Sequence, residues 1–207
     1  MSHAFSRRAA LVALAAVAAT PALALSPGDN DLVARAVAYL DGLSSVKSRF
    51  TQTDPRGDTV TGTLYLARPG RARFQYDAPA TLLITCDGQT VTLSDTRLKT
   101  RQRFPLKSTP LAIFLADHIR LDRGAHVTRV DRGPGGTFSI TARSAVGLSQ
   151  GEIVLYFEQS PLKLTGWVVI DGQGRTTRVI LDGLTAIPTP PADLFVQQPV
   201  VAVSGKM

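Results

Sequence analysis

The chain is poor in the residue types that most catalytic and metal chemistry needs. Its 207 residues include one cysteine, three histidines, one tryptophan and two methionines. The lone Cys86 permits no intrachain disulfide and reads as a small buried apolar residue. Past His3 the only histidines are His118 and His126, and neither lies at ligand spacing from a second donor, so no metal site is expected. Carboxylates are dispersed, with no pair locally arranged for acid–base work; a pairing made by the fold stays open. No glycine-rich loop joins a strand to a helix, which leaves no phosphate cradle. No Lys/Arg run exceeds two residues, so a nucleic-acid partner is not expected despite a net charge of +7. Such diffuse positive charge suits anionic membranes or acidic proteins better.

Long apolar runs are also scarce. The longest, Ala9 to Ala19, is too short to span a bilayer comfortably. It follows Arg7 and Arg8 and precedes Ala22-Leu23-Ala24, the order of an export signal with an A-x-A cleavage site. Residues 1–24 are therefore expected to be removed, leaving a single domain over 25–207 with a net charge of +5. Ser6-Arg7-Arg8 partly matches a twin-arginine signal, but the residues after it match weakly, so general secretion is the simpler route. Cys86 lies far from the cleavage site, so the mature end offers no thiol for lipidation and the product should be soluble. Hydrophobic residues at 44% and charged residues at 19% suit a folded domain with a substantial core.

What remains is mostly strand. Asp29 can cap one helix running to about Leu43, with Leu32, Ala36, Tyr39, Leu40 and Leu43 in one stripe. Beyond it, apolar residues alternate with polar ones. Val46, Ser48 and Phe50 share a face, as do Ala72, Phe74 and Tyr76, then Leu82 and Ile84, and then Val91 and Leu93. The alternation resumes at Phe138, Ile140 and Ala142, at Ile153, Leu155 and Phe157, and at Leu164, Val168 and Ile170. Asp87-Gly88, Gly133 to Gly136 and Asp171 to Gly174 are turn signals. About ten or eleven antiparallel strands are expected, without βαβ rhythm or repeats.

Thr109-Pro110 breaks this pattern as a helix start, followed by Leu111, Ala112, Ile113, Phe114 and Leu115. A helix this apolar must be covered. Either a curled sheet encloses a cavity that the helix plugs, or the helix is a plain crossover in a filled core.

Two local features need weighing. Gly147-Leu148-Ser149-Gln150-Gly151 matches the G-x-S-x-G nucleophile elbow, but a strand follows the serine where a helix is required, and both histidines precede it. It reads as a loop. Arg68 continues the face of Val60, Gly62, Leu64 and Leu66. A charge on the inward side needs a partner; at a strand end before Pro69 it could equally snorkel to solvent, which strand physics alone favours.

The order of short motifs adds a further constraint. Phe50-Thr51-Gln52 follows the first helix; Gly62-x-Leu64, Arg68-Pro69, Phe74 and Tyr76, and Pro79 come next. Ile84-x-Cys86-Asp87-Gly88 precedes Val91, and Thr109-Pro110-Leu111 opens the apolar helix. Trp167 to Asp171 leads through Gly174 to Thr176-Thr177, and Leu194-Phe195 closes the series. In this order and spacing the chain resembles the periplasmic outer-membrane lipoprotein carrier family (LolA-like), over roughly Asp31 to Pro199. The match is poorest over Thr185 to Pro190, and Cys86 stands where a small hydroxyl residue is common.

The resemblance implies an α+β, mainly β fold: an open, unclosed antiparallel β-barrel whose hydrophobic concavity is covered by a helical lid. It implies a non-enzymatic, cofactor-free periplasmic carrier, a monomer that shields the acyl chains of lipoproteins. Its partners would be acylated lipoproteins, an inner-membrane ABC-type releasing complex and a lipid-anchored outer-membrane acceptor. The family's lid-locking arginine maps onto Arg68, and the lid onto Pro110 to Leu115. Strand parity proposes Phe50, Leu64, Leu66, Phe74, Tyr76, Ile84, Leu111 and Phe114 as the lining. A carrier of another lipid, or a lipoprotein sensor of the same fold, are the alternatives.

Overall fold

The computed structural model describes residues 25–109, 111–119, 125–144 and 151–196. Its first element is helix α1, Pro27–Gly42. The N-cap is Ser26, not Asp29. The Ser26 hydroxyl accepts from the Asp29 N–H at 3.2 Å, while the Asp29 carboxylate accepts from the Ser26 hydroxyl at 2.6 Å. This is a capping box, with Pro27 at the first helical position. The helix therefore starts two residues before Asp29.

Six strands follow: β1 (Ser45–Thr53), β2 (Thr59–Ala67), β3 (Arg71–Tyr76), β4 (Leu82–Asp87), β5 (Thr90–Asp95) and β6 (Thr100–Pro105). A short helix, α2 (Leu111–Leu115), separates them from β7 (Ala125–Arg132), β8 (Thr137–Ser144), β9 (Glu152–Gln159), β10 (Leu162–Ile170), β11 (Thr176–Leu181) and the two-residue β12 (Thr185–Ala186). All pair antiparallel in one sheet of order β6-β5-β4-β3-β2-β1-β11-β10-β9-β8-β7, with β12 added beside β1. Eleven strands along the main path agree with the expected number. In β10 the expected shared face of Leu164, Val168 and Ile170 does not hold: the register shifts between Leu164 and Gly166, so Trp167 and Val169 join Leu164 on the core face and Val168 and Ile170 point the other way.

Strands β6 and β7 are the two edges and do not pair, so the sheet is not closed into a barrel. They are also consecutive in the chain. The connection from Leu106 to residue 124 therefore has to cross from one edge of the sheet to the other, and α2 lies within it. The position of α2 across the opening follows from this topology.

One face of the sheet is predominantly apolar, with Ser48 buried among its residues opposite Leu64. Register places Leu64 beside Phe74, and Phe74 beside Ile84. Trp167 lies beside Leu155, and Leu155 beside Ile140. Helix α1 lies over this face as a lid-like element and buries Leu32, Ala36 and Leu40 into the same core. Its Tyr39 ring stands edge-on to Phe157 at 6.4 Å. The opposite face of β3 and β4 is partly covered by a 3-10 turn, Ala192–Phe195, with Phe195 buried.

Candidate functional site

The strands bring most of the proposed lining together. Phe50, Leu64, Leu66, Phe74 and Tyr76 are buried side by side. The Phe50 ring meets Phe74 at 5.7 Å and Tyr76 at 5.2 Å, both edge to face. Gly62 makes room for this cluster. A Cβ there would lie 2.6 Å from the Phe50 ring, so the bare backbone opposite Phe50 is a packing requirement. Ile84 and Leu111 are half-buried at the margin of the core. Pro110, and the side chains of Ile113 and Phe114, lie outside the described residues. Parity in the first half of the chain did not reveal the contribution of the second. Trp167 stands edge-on to Phe74 at 6.2 Å and carries the apolar surface across to β10.

The concave space is occupied by the protein's own helices. Leu32, Ala36 and Leu40 of α1, Leu115 of α2 and Ile119 just beyond it all pack into it. The clefts open at the rim instead. One, of about 770 Å³, lies between β6 and α2 and is lined by Phe104, Leu106, Ala112 and Ala116 among others. A second, of about 960 Å³, opens by Tyr76 and Leu82. Neither reaches Phe50, Leu64, Leu66 or Phe74.

Arg68 follows directly after β2, and its side chain is only 4% exposed. It does not snorkel. Its Nη1 donates to the Leu40 carbonyl near the end of α1. Its Nη2 donates to Ala116 O at 2.6 Å, to Asp117 O at 3.4 Å and to Asp41 Oδ1 at 3.0 Å. One guanidinium thus joins the C-terminal ends of both helices, where unsatisfied carbonyls and the helix dipole favour a cation. The neighbouring Gly70 N–H donates to Leu115 O at 2.8 Å, so residues 68–70 take three successive carbonyls at the end of α2. Gly70 adopts φ +77°, and a Cβ on it would meet the Gly88 backbone at 2.7 Å; the loop can hold this position only with glycine.

Asp41 was not singled out from sequence. Its Oδ1 accepts from Arg68 and also from the Ile119 N–H at 3.1 Å, beyond α2. The signal for it was present: a carboxylate in the last turn of a helix opposes the dipole and calls for a cation from elsewhere. The Thr109 hydroxyl donates backward to Leu106 O at 2.8 Å within a 3-10 turn, and its carbonyl accepts from the Ala112 N–H of α2 at 3.0 Å.

Other sequence candidates stay apart. Cys86 is buried as a free thiol, and burial raises its pKa. His118 and His126 are exposed, and Ser149 lies outside the described residues. Among the described residues no three of His, Cys, Asp or Glu gather as metal ligands.

This architecture has counterparts. The model of the family described as "Outer membrane lipoprotein carrier protein LolA" matches residues 41–198. An outer-membrane lipoprotein carrier protein of Bordetella avium is 30% identical over 198 residues, covering 89% of this chain and 90% of that one. One from Azotobacter vinelandii is 28% identical over 181 residues, covering 79% and 83%. Among solved structures, an uncharacterised conserved protein of Thermus thermophilus shares the fold with a TM-score of 0.50 at 10% identity, over 84% of this chain and 96% of that one. With the open sheet, the covered apolar face and a family match spanning most of the strands, this chain belongs to the outer membrane lipoprotein carrier (LolA) family.

Proposed function

We propose that this protein is a periplasmic, non-catalytic carrier that shields lipoprotein acyl chains and ferries them from the inner membrane to the outer membrane. Residues 1–24 are its export signal, and 25–207 form one carrier domain. It receives cargo from an inner-membrane ABC-type releasing complex and surrenders it to a lipid-anchored acceptor on the outer membrane.

The need for such a carrier is physical. Exposing an acyl chain to water costs about 0.8 kcal/mol for each CH₂, so one long chain costs on the order of 10 kcal/mol. The carrier must cover that surface and yet release it without ATP. What supports the reading is the apolar concave face occupied by the protein's own α1 and α2 and tied down at Arg68. Cargo and helices compete for one surface. Part of the binding energy is spent on opening, which lowers apparent affinity to a level from which an acceptor can take the cargo. Arg68 is the lock on the closed state, and Phe50, Leu64, Leu66, Phe74, Tyr76, Ile84, Leu111 and Phe114 contribute to the lining that opening uncovers. Pro110 to Leu115 move as the lid.

Mass spectrometry of the protein purified from its native periplasm tests the function. Co-purified triacylated polypeptide is the expected result. Free lipid in its place would reassign the protein as a carrier of another lipid, and an empty chain under conditions of active lipoprotein export would count against carriage altogether.

A further inference from the structure

Five of the basic residues fall in one stretch that contains no acid: Arg97, Lys99, Arg101, Arg103 and Lys107, between residues 96 and 116. Its first four members occupy every second position, so no two of them are adjacent. Arg101 and Arg103 lie on β6 and share one side of it, while Arg97 and Lys99 lie in the turn that leads into it. All five are exposed. They follow edge strand β6, whose six residues are all exposed and whose outer side has no strand partner. Pairing sets Arg101 opposite Ser94 and Arg103 opposite Thr92 on the face away from the core.

Apolar side chains are interleaved with this charge. Leu98 is 60% exposed in the turn between β5 and β6, flanked by Arg97 and Lys99. Asp95 shapes that turn by accepting from the Arg97 and Leu98 N–H groups at 2.9 and 3.0 Å. Phe104 is 42% exposed at the other end of β6, where it lines the cleft of about 770 Å³ together with Arg103 and Lys107. Two of the four exposed large apolar residues of the described chain therefore sit within this acid-free basic stretch.

We propose that the β5–β6 hairpin edge, Arg97 to Lys107, docks the protein on an anionic phospholipid surface and turns the β6–α2 cleft toward the bilayer. Exposed cations clustered along the hairpin edge, with an exposed leucine in its turn and a partly exposed phenylalanine at its far end, match a charged, deformable interface whose headgroups attract Lys and Arg and whose acyl boundary accepts Leu and Phe. An acidic protein would match the charge but supplies no reason for a leucine held clear of the core between two cations. Docking would be reversible, because two partly exposed apolar side chains and screened charges anchor weakly. It would raise the local concentration of the carrier at the membranes between which it works, with its opening on the membrane side.

Vesicle flotation of the mature protein tests this. The probes are vesicles of pure phosphatidylcholine and vesicles with 30% phosphatidylglycerol, each at low and high salt. The expected result is binding to the anionic vesicles alone, lost at high salt. Removing each basic residue should weaken binding by about fivefold, so Arg101→Gln, Arg103→Gln and Lys107→Gln together should weaken it on the order of a hundredfold. Leu98→Ser should weaken binding without altering its salt dependence. Arg35→Gln with Lys163→Gln removes exposed cations outside the hairpin and serves as the control; thermal unfolding confirms that each variant is folded. Equal binding to neutral vesicles, no binding to either kind, or an equal loss in the control variant and a matched Arg101→Gln/Arg103→Gln double would overturn the proposal. Lipoprotein carriage is read separately by mass spectrometry and stands or falls independently.

Discussion

Replacing Arg68 by leucine is the sharpest perturbation the geometry offers. Leucine keeps apolar bulk at a site where the native side chain is 4% exposed, so the change strands little volume. It removes the donor to Leu40 O and the donor to Ala116 O and Asp117 O. The carbonyls left behind lie at helix ends, where water can replace the guanidinium once the lid moves. Asp41 loses its charge partner but keeps the Ile119 N–H, and it is one-third exposed. The cost therefore falls mainly on the closed arrangement. The bond to Ala116 O is the strongest link to α2, and a charge-assisted bond of this kind contributes about 1.5–3 kcal/mol; the 3.4 Å contact to Asp117 O adds little. Loss of that amount shifts the closed-to-open ratio by roughly 10- to 150-fold. Where the closed form dominates, apparent affinity for an acyl ligand rises by up to the same factor, because less binding energy goes into opening. Titration with a fluorescent fatty-acyl probe measures the affinity, and release to acceptor-bearing vesicles measures delivery. Arg68→Leu should bind more tightly and deliver more slowly. Arg68→Lys should fall between, since an ammonium keeps the charge but not the planar fork that spans both helix ends. A correctly folded Arg68→Leu protein with wild-type affinity and wild-type delivery would refute the lock.

Three further outcomes follow from local geometry. Gly62→Ala places a methyl group inside the Phe50 ring contact, so unfolding should occur with about 1–3 kcal/mol less stability, visible as a lowered Tm. Tyr76, whose pKa burial pushes up to about 12, favours the folded state while neutral; that stability is complete below pH 10 and drains away as pH rises through about 12. Tyr76→Phe should flatten the alkaline limb of a Tm-versus-pH curve, and an unchanged limb would contradict this. Asp77 is held down to about 2, first by the Arg49 guanidinium and then by the Thr61 hydroxyl. Its stabilisation is present above pH 3.8 and lost as pH falls through about 2, so Asp77→Asn should reduce the acid dependence of urea unfolding in that interval.

Alternation along the chain was enough to establish much of this protein. Strand periodicity depends on nothing beyond the side-to-side geometry of an extended backbone, so the inward set from Phe50 to Ile84 and the antiparallel class were legible before any coordinates. The one helical stripe was legible for the same reason, and the order of Arg68-Pro69, Asp87-Gly88 and Thr109-Pro110 identified the family. Local rules did not decide the destination of Arg68. A strand end before proline is a place to snorkel, and only the arrival of the α1 and α2 termini from 27 to 49 residues away makes it a buried junction. Gly70 and Ile119 were silent for the same reason: each matters through a partner distant in sequence. Asp41, in the last turn of α1, called for a cation, but nothing local named Arg68 as that cation. Whether the apolar face forms a hollow or a filled core was likewise undecidable from pattern, because alternation marks which side chains point inward but not what meets them. Tertiary structure decided it. The two sheet edges do not pair, so the chain between them has to cross the opening, and α1 and α2 then occupy the surface that the strands leave exposed.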